Sequence, residues 1–472
     1  MIYNNFSELS VALTNGTTTS VDQVNEYLKN IEDKKHLNAF LEVFTEDALN
    51  LANKVDQKIK DGTAGKLAGM VVGIKDNICY TGHKVSSSSK ILKGFESLYS
   101  STVVERLLKE DAIIIGRLNC DEFAMGSSNE KSAFGEVSNP HDTNRVPGGS
   151  SGGSAVAVAA KLCLVSLGSD TGGSIRQPAS YCGVVGYKPT YGRVSRHGLL
   201  AYASSFDQIG PFSNNIKDCA LVMEVISGKD DFDATCSAKE VEYYSELKTE
   251  GKKKIAYIED AVNNPSLEPE IKAHIVKTID KLKTEGHEVE GVSFPYLDYM
   301  VPAYYVLTTA EASSNLSRYD GVHYGYRSPN ATDLESTYKL SRTEGFGEEV
   351  KRRIMLGSFV LSAGYYDAYY NKGMKVRRLI QKKTEEIFSN FDFILLPTTA
   401  DVAFEKGGKS DDPIKMYLED MFTVQANLAG VPAISLPVGK HSNGMPFGVQ
   451  LMGPAFQEQG LLAFSEYLMN LN

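Results

Sequence analysis

One lysine and two serine-bearing glycine turns hold the residues in this sequence best suited to covalent chemistry. Lys75 closes the apolar run in VGIKDNI, Ser150 lies in PGGSSGGSAVAVAA (residues 147–160), and Ser174 lies in GSDTGGSIRQP (residues 168–178). A serine hydroxyl attacks a carbonyl only if a base takes its proton. Lysine serves as that base only when neutral, a state that burial favours by lowering its pKa. A tight glycine turn adds a second element. Its N–H groups converge beside the serine on a developing oxyanion, and losing one such donor costs about 100- to 1000-fold in rate. The turn at Thr171, Gly172, Gly173 and Ser174 follows an apolar run and opens a new segment, the placement such donors require.

Each feature has a plainer reading. GGSSGGS alone reads as a flexible connection, or as an anion-accepting turn where it enters the small-residue helix behind it. Lysine at a strand end is ordinarily solvated. Two familiar motifs fail on detail. Gly148 and Gly153 have phosphate-loop spacing, but Ser154 stands where that loop needs lysine. Gly149, Ser151 and Gly153 match a nucleophile elbow, but the preceding NPHDTNRVP is not a strand. None of the eight histidines sits in a motif for a base or a metal ligand. Asp170 and Arg176 flank the second turn and are expected to brace it, unless they form an ordinary surface ion pair.

The elements that must position these residues alternate. Residues 1–65 read as helical: Ser20 and Gln23 form a capping box before Val24, Leu28 and Ile31, and a second helix through Ala48, Ala52, Val55 and Ile59 ends at Gly62. From residue 66 to 210 short apolar runs at 70–74, 112–115 and 164–167 read as strands, with helices at 103–108 and 154–162 between them. This is an α/β pattern. Residues 211–390 read as a mostly helical insertion, with one strand at 255–258 and an amphipathic helix through Ile271, Ile275, Ile279 and Leu282. Residues 391–472 return to the sheet through runs at 393–396, 433–436 and 449–452. A single domain over 1–472 is expected.

A hydrophobic fraction of 42% with 23% charged residues is that of a globular chain. The net charge of −10 argues against gripping nucleic acid unaided. The six cysteines form no C-x-x-C pair and read as reduced structural thiols. The start MIYNNFSELS has no signal-peptide pattern, and no run is long enough to span a bilayer. A soluble cytoplasmic protein is expected.

GGSSGGS, DTGGSIR and the upstream VGIKDN occur in the order of the amidase-signature family, which this chain closely resembles. The resemblance implies a central mixed β-sheet covered on both faces by helices. It implies Ser174 as nucleophile, Ser150 after a cis peptide as the bridging serine, and Lys75 as base, with the turn Thr171–Ser174 as oxyanion hole. EASSNLSRYDGVHYG, GFGEEVKRRIMLG and LSAGYYDAYY narrow it to the A subunits of the glutamyl-tRNA(Gln)/aspartyl-tRNA(Asn) amidotransferases, over essentially the entire chain. That branch implies glutamine as the amide, with Arg353 for its carboxylate, Asp420 for its ammonium and Tyr305 lining the pocket. A one-residue slip would substitute Arg352 or Tyr304. It also implies B and C partner subunits in a heterotrimer, with tRNA held mainly by B. ATP and Mg²⁺ are expected on B, no cofactor in this chain, and no membrane. The rival is a stand-alone amidase acting on small or aryl amides; a non-catalytic scaffold or nucleotide-binding protein fits the three motifs less well.

Overall fold

The computed structural model describes residues 2–409 and 413–471. Its strands, in chain order, are β1 (Phe40–Val43), β2 (Val71–Lys75), β3 (Ile113–Leu118), β4 (Val165–Asp170), β5 (Val185–Lys188) and β6 (Gln208–Ser213). They continue with β7 (Lys254–Ile258), β8 (Glu288–Val292), β9 (Phe393–Pro397), β10 (Ala433–Lys440) and β11 (Pro446–Met452). All eleven join one sheet in the order β1-β3-β2-β4-β6-β5-β10-β11-β9-β7-β8. It is mixed: β3, β2 and β4 run parallel, as do β9, β7 and β8, and antiparallel pairs lie between. The parallel strands β2, β3 and β4 are buried along their whole length, which is why they read as apolar runs.

The register sets up the site. Parallel pairing of Val72 with Val165 and Ile74 with Leu167 brings the carboxyl ends of β2 and β4 side by side. Lys75 closes the first strand and Ser169 and Asp170 close the second. The small residues of the helix Gly152–Ala159 let it lie directly on these strands, pinned by Ser154 Oγ donating to the Leu167 carbonyl at 3.1 Å and Ser166 Oγ donating to the Ser154 carbonyl at 2.8 Å.

Some elements differ from the sequence reading. The first capping box is shifted one residue: Thr19 is the cap, paired with Asp22, while Ser20 and Gln23 are buried. Asp56 takes the Ser20 N–H at 2.6 Å, which frees Thr19 for the capping position. The 1–65 region is not purely helical, because β1 pairs with β3 at the sheet edge. The 211–390 insertion supplies two strands, β7 and β8, rather than one. Among the described residues no helix is long and apolar enough to cross a membrane.

Candidate active site

Lys75 is completely buried, and its Nζ lies 2.8 Å from Ser150 Oγ, 2.9 Å from Ser151 Oγ and 2.9 Å from Ser169 Oγ. Burial drives its pKa down to about 8, against the opposing pull of Cys120, Asp121, Asp207 and Asp170. The three hydroxyls are not equivalent. Ser151 Oγ donates its proton to the Ser169 carbonyl at 3.1 Å, and Ser169 Oγ accepts from Asn77 Nδ2 at 2.9 Å. A neutral amine has two protons and one lone pair. Giving its protons to Ser151 and Ser169 leaves the lone pair for the hydroxyl of Ser150, the arrangement in which Ser150 loses a proton to lysine.

Ser150 follows a cis peptide, Gly149–Ser150. The N–H groups of its turn are claimed by protein. Gly149 N–H donates to Gln177 Oε1 at 2.8 Å, Ser151 N–H to the Ser174 carbonyl at 3.2 Å, and Gly153 N–H to Asn129 Oδ1 at 3.0 Å. These three donors lock the serine in place and are not offered to an anion.

Ser174, 8% exposed, sits in the turn after β4. That turn is braced from within by Asp170, which accepts from Gly173 N–H at 2.9 Å and Ile175 N–H at 3.1 Å. Arg176 meets the same carboxylate through Nε at 3.1 Å and Nη2 at 2.9 Å, and both side chains are fully buried. Burial alone would raise the pKa of Asp170, but the guanidinium overrides it and holds it at about 2. Arg176 also reaches Gln450 on β11, the Thr423 carbonyl and Asn427. The turn is thus fixed to the far side of the sheet.

This bracing corrects one expectation. Gly173 N–H is engaged by Asp170 and is not offered to an oxyanion. The N–H groups of Thr171, Gly172 and Ser174 have no protein acceptor among the described residues. Both glycines are sterically required: a Cβ on Gly172 would run into the ring of Tyr304, and Gly173 has φ +135° with the Thr423 side chain against it. Ser174 Oγ has no hydrogen-bond partner among the described residues, so the structure joins Lys75 to Ser150 directly but leaves the Ser150–Ser174 step open. Catalytic hydrogen bonds commonly tighten only when substrate is bound.

Arg353, Tyr305 and Asp420 converge from three distant segments. The helix Leu297–Asn315 carries Tyr305, whose hydroxyl donates to Asp420 Oδ2 at 2.9 Å; Ser127 Oγ donates to Asp420 Oδ1 at 3.0 Å. Arg353, on the helix Glu348–Val360, lies 5.1 Å from the Tyr305 ring centre and 5.5 Å from those of Tyr202 and Tyr417. Its Nε donates to Glu349 Oε1 at 2.7 Å and its Nη1 to Tyr202 Oη at 2.9 Å, which orients the fork and leaves Nη2 for an incoming acceptor. The neighbouring residues point elsewhere, although Arg352 lines the same cavity as Arg353. Arg352 is exposed, and Tyr304 packs on Gly172 and Phe206 instead of reaching Asp420. Burial pushes the pKa of Asp420 up to about 7, despite the hydrogen bonds from Tyr305 and Ser127 and the charge of Arg353. Thr423 Oγ1, donating to the Gly172 carbonyl at 2.6 Å, links this anion's segment to the nucleophile turn.

A cavity of about 380 Å³ opens on Arg353, Tyr417 and Ser127. Its walls stop short of Ser174. Sequence reasoning missed Ser151, Ser169 and Asn77, although all three lie inside motifs already singled out. It also missed Glu349, whose i,i+4 spacing to Arg353 was the available signal, and Ser127, Tyr202 and Tyr417, for which no local signal exists. No histidine hydrogen-bonds to Lys75, Ser150 or Ser174 among the described residues.

A model of the Amidase family matches residues 22–462. The chain belongs to this family. It is 50% identical to the A subunit of the glutamyl-tRNA(Gln) amidotransferase of Chlorobaculum parvum, over 100% of this chain and 98% of that protein. It is also 50% identical to the like-named protein of Fusobacterium nucleatum, over 99% of this chain and 97% of that protein. Among solved structures it resembles the glutamyl-tRNA(Gln) amidotransferase A subunit of Thermotoga maritima, with TM-score 0.77 and 42% identity over 93% of this chain and 89% of that one. A peptide amidase from Stenotrophomonas maltophilia superposes with TM-score 0.82 at 28% identity, covering 99% of this chain and 96% of that one. The chain is thus an amidase-type enzyme with the expected α/β fold of that family.

Proposed function

We propose that this chain is the A subunit of a tRNA-dependent amidotransferase, hydrolysing glutamine and passing the ammonia to a partner protein in the cytoplasm. The observation that carries the reading is the buried Lys75 at hydrogen-bonding distance from Ser150, in a chain that also gathers the Arg353 guanidinium and the Asp420 carboxylate around Tyr305. A zwitterionic amino acid needs both. Its carboxylate pairs with the free edge of Arg353 and its ammonium with Asp420, which directs the side-chain amide toward Ser174. The similarity to amidotransferase A subunits over the full length favours this over a stand-alone amidase.

In the proposed reaction neutral Lys75 takes the proton of Ser150, Ser150 takes that of Ser174, and Ser174 Oγ attacks the amide carbon. The N–H groups of Thr171, Gly172 and Ser174 are the donors left to receive the oxyanion. The C–N bond then breaks as the proton returns through Ser150 to the nitrogen, releasing ammonia. Water adds to the ester by the same relay and frees glutamate. B and C subunits complete the assembly, with tRNA, ATP and Mg²⁺ engaged on B. The absence of a Walker lysine, and the engagement of the Gly149, Ser151 and Gly153 N–H groups by protein acceptors, are consistent with ATP being held elsewhere.

The decisive experiment measures ammonia release from glutamine by the chain alone and with B and C subunits, ATP and Glu-tRNA(Gln). Glutamine turnover that rises on assembly, with amide appearing on the aminoacyl-tRNA, is the expected result. Hydrolysis of simple amides indifferent to partners would sink the reading in favour of the stand-alone amidase. A pH dependence follows from Asp420. Its carboxyl is ionised only above about 7, so the KM for glutamine should fall as pH rises through 7. Asp420→Asn should flatten that dependence and raise KM; a KM profile unchanged by the substitution would remove Asp420 from ammonium recognition.

A further inference from the structure

The helix Glu348–Val360 is charged in its first half and exposes apolar side chains from its second. Val350, Gly357 and Val360 face inward with Arg353, and Gly357 sits so tightly on the Thr309 backbone that a side chain there would collide with it. On the outer side Met355 is 72% exposed and Phe359 is 42% exposed. Phe359 packs on Tyr365 with ring centres 4.3 Å apart and on Tyr369 at 5.7 Å, and both tyrosines are exposed. Of the twenty exposed large hydrophobic side chains among the described residues, eight lie between residues 355 and 379. Such a concentration marks an interaction surface more than chance scatter does.

Charge indicates the kind of occupant. The chain as a whole carries −10, yet this surface continues into exposed Lys372, Lys375 and Lys382, none paired with a carboxylate among the described residues. Tyr369 and Lys372 are three residues apart in one continuous helical run, so the aromatic ring and the ammonium border each other. A second copy of this chain would bring like charges face to face in a two-fold contact. Nucleic acid would gain little from an aromatic and aliphatic centre with so few cations.

We propose that the surface formed by Met355, Phe359, Tyr365 and Tyr369, rimmed by Lys372 and Lys375, seats an acidic segment of a partner protein with an apolar face. Seating it steadies the helix whose inner side presents Arg353 to glutamine, so assembly tightens glutamine binding. This rests on the function proposed above and locates its partner surface.

Two full-length double variants test it: Tyr365→Ser with Tyr369→Ser, and Lys372→Glu with Lys375→Glu. Because the side chains replaced are exposed, Tm and the basal kcat of the isolated chain should match wild type. Affinity for purified B and C subunits of the same organism should drop by about 30-fold or more, the loss expected at an interface centre. For wild type the KM for glutamine should fall when B and C are added, and for the variants at the same partner concentrations it should not. Variants that bind B and C as tightly as wild type would overturn the inference while leaving the function intact. Wild type that neither binds B and C nor feeds them ammonia would overturn the function and this inference with it. Self-association of wild type abolished in the variants, or binding of free tRNA lost in them, would assign the surface to a different occupant and overturn the proposal.

Discussion

Lys75→Met should reduce kcat for glutamine by about 10⁴-fold, the upper end of what a positioned proton acceptor contributes. Methionine has the volume and unbranched shape of lysine but neither lone pair nor charge, so it fills the cavity between Ser150, Ser151 and Ser169 without accepting a proton. The wild-type rate should rise with pH through about 8, as the buried amine loses its proton. That rise should vanish in the variant. Stability gives an independent readout with a definite sign. The folded-state pKa of Lys75 is below its ordinary value of 10.5, so between pH 8 and 10.5 the unfolded chain binds a proton that the folded chain does not. Wild-type stability gains from this group as pH rises across that window. Lys75→Met should lack that gain, measured as the difference in Tm between the two pH values. A variant that kept both its rate and the pH dependence would exclude Lys75 as the base.

The sequence made Lys75 visible as the end of an apolar run but not as a buried group. What buries it is the parallel pairing of β2 with β4 and the close seat of a helix made of glycine, alanine and valine. Neither is local to residue 75. Strands β2, β3 and β4 were legible because their buried residues begin as apolar runs; β5 and β6 are equally buried but interrupt theirs with glycine, proline and polar residues, and were not. The edge strands β1 and β8 were not, because their mixed composition answers to neighbours far away in the chain. The same divide runs through the site. Ser150, Ser174 and the glycines between them sit in motifs whose spacing is the signal. Glu349 lies four residues before Arg353 on the same helix, a spacing the sequence displays, but Tyr202 and Tyr417 act on Arg353 through tertiary contacts alone, and nothing in their flanking residues announces that. Gly173 illustrates a subtler failure. A glycine turn suggests free N–H donors, but Asp170 three residues earlier already holds one of them, a bond visible only once the turn is folded.

Ser174→Ala should abolish glutamine hydrolysis, with kcat reduced by about 10⁵-fold or more, because every later step depends on the ester formed at this oxygen. The loss should be larger than for Lys75→Met, since water reaching Ser150 can replace a base in part but no neighbour replaces the attacking atom. Ser150→Ala separates the two roles. It leaves the proposed nucleophile and removes the hydroxyl bonded to Lys75 Nζ, through which the proposed relay runs, so a slow acylation that responds to external amines is expected. Glutamine binding should survive Ser174→Ala, because Arg353, Tyr305 and Asp420 are held by Glu349, Tyr202 and Ser127 and make no hydrogen bond to Ser174. The checks are ammonia release, acyl-enzyme detection by intact mass, and glutamine affinity by calorimetry. Unchanged ammonia release in Ser174→Ala would exclude Ser174 as nucleophile. Lost glutamine affinity would mean that the serine turn and the zwitterion pocket form a single unit, coupled through Thr423 between Gly172 and Asp420.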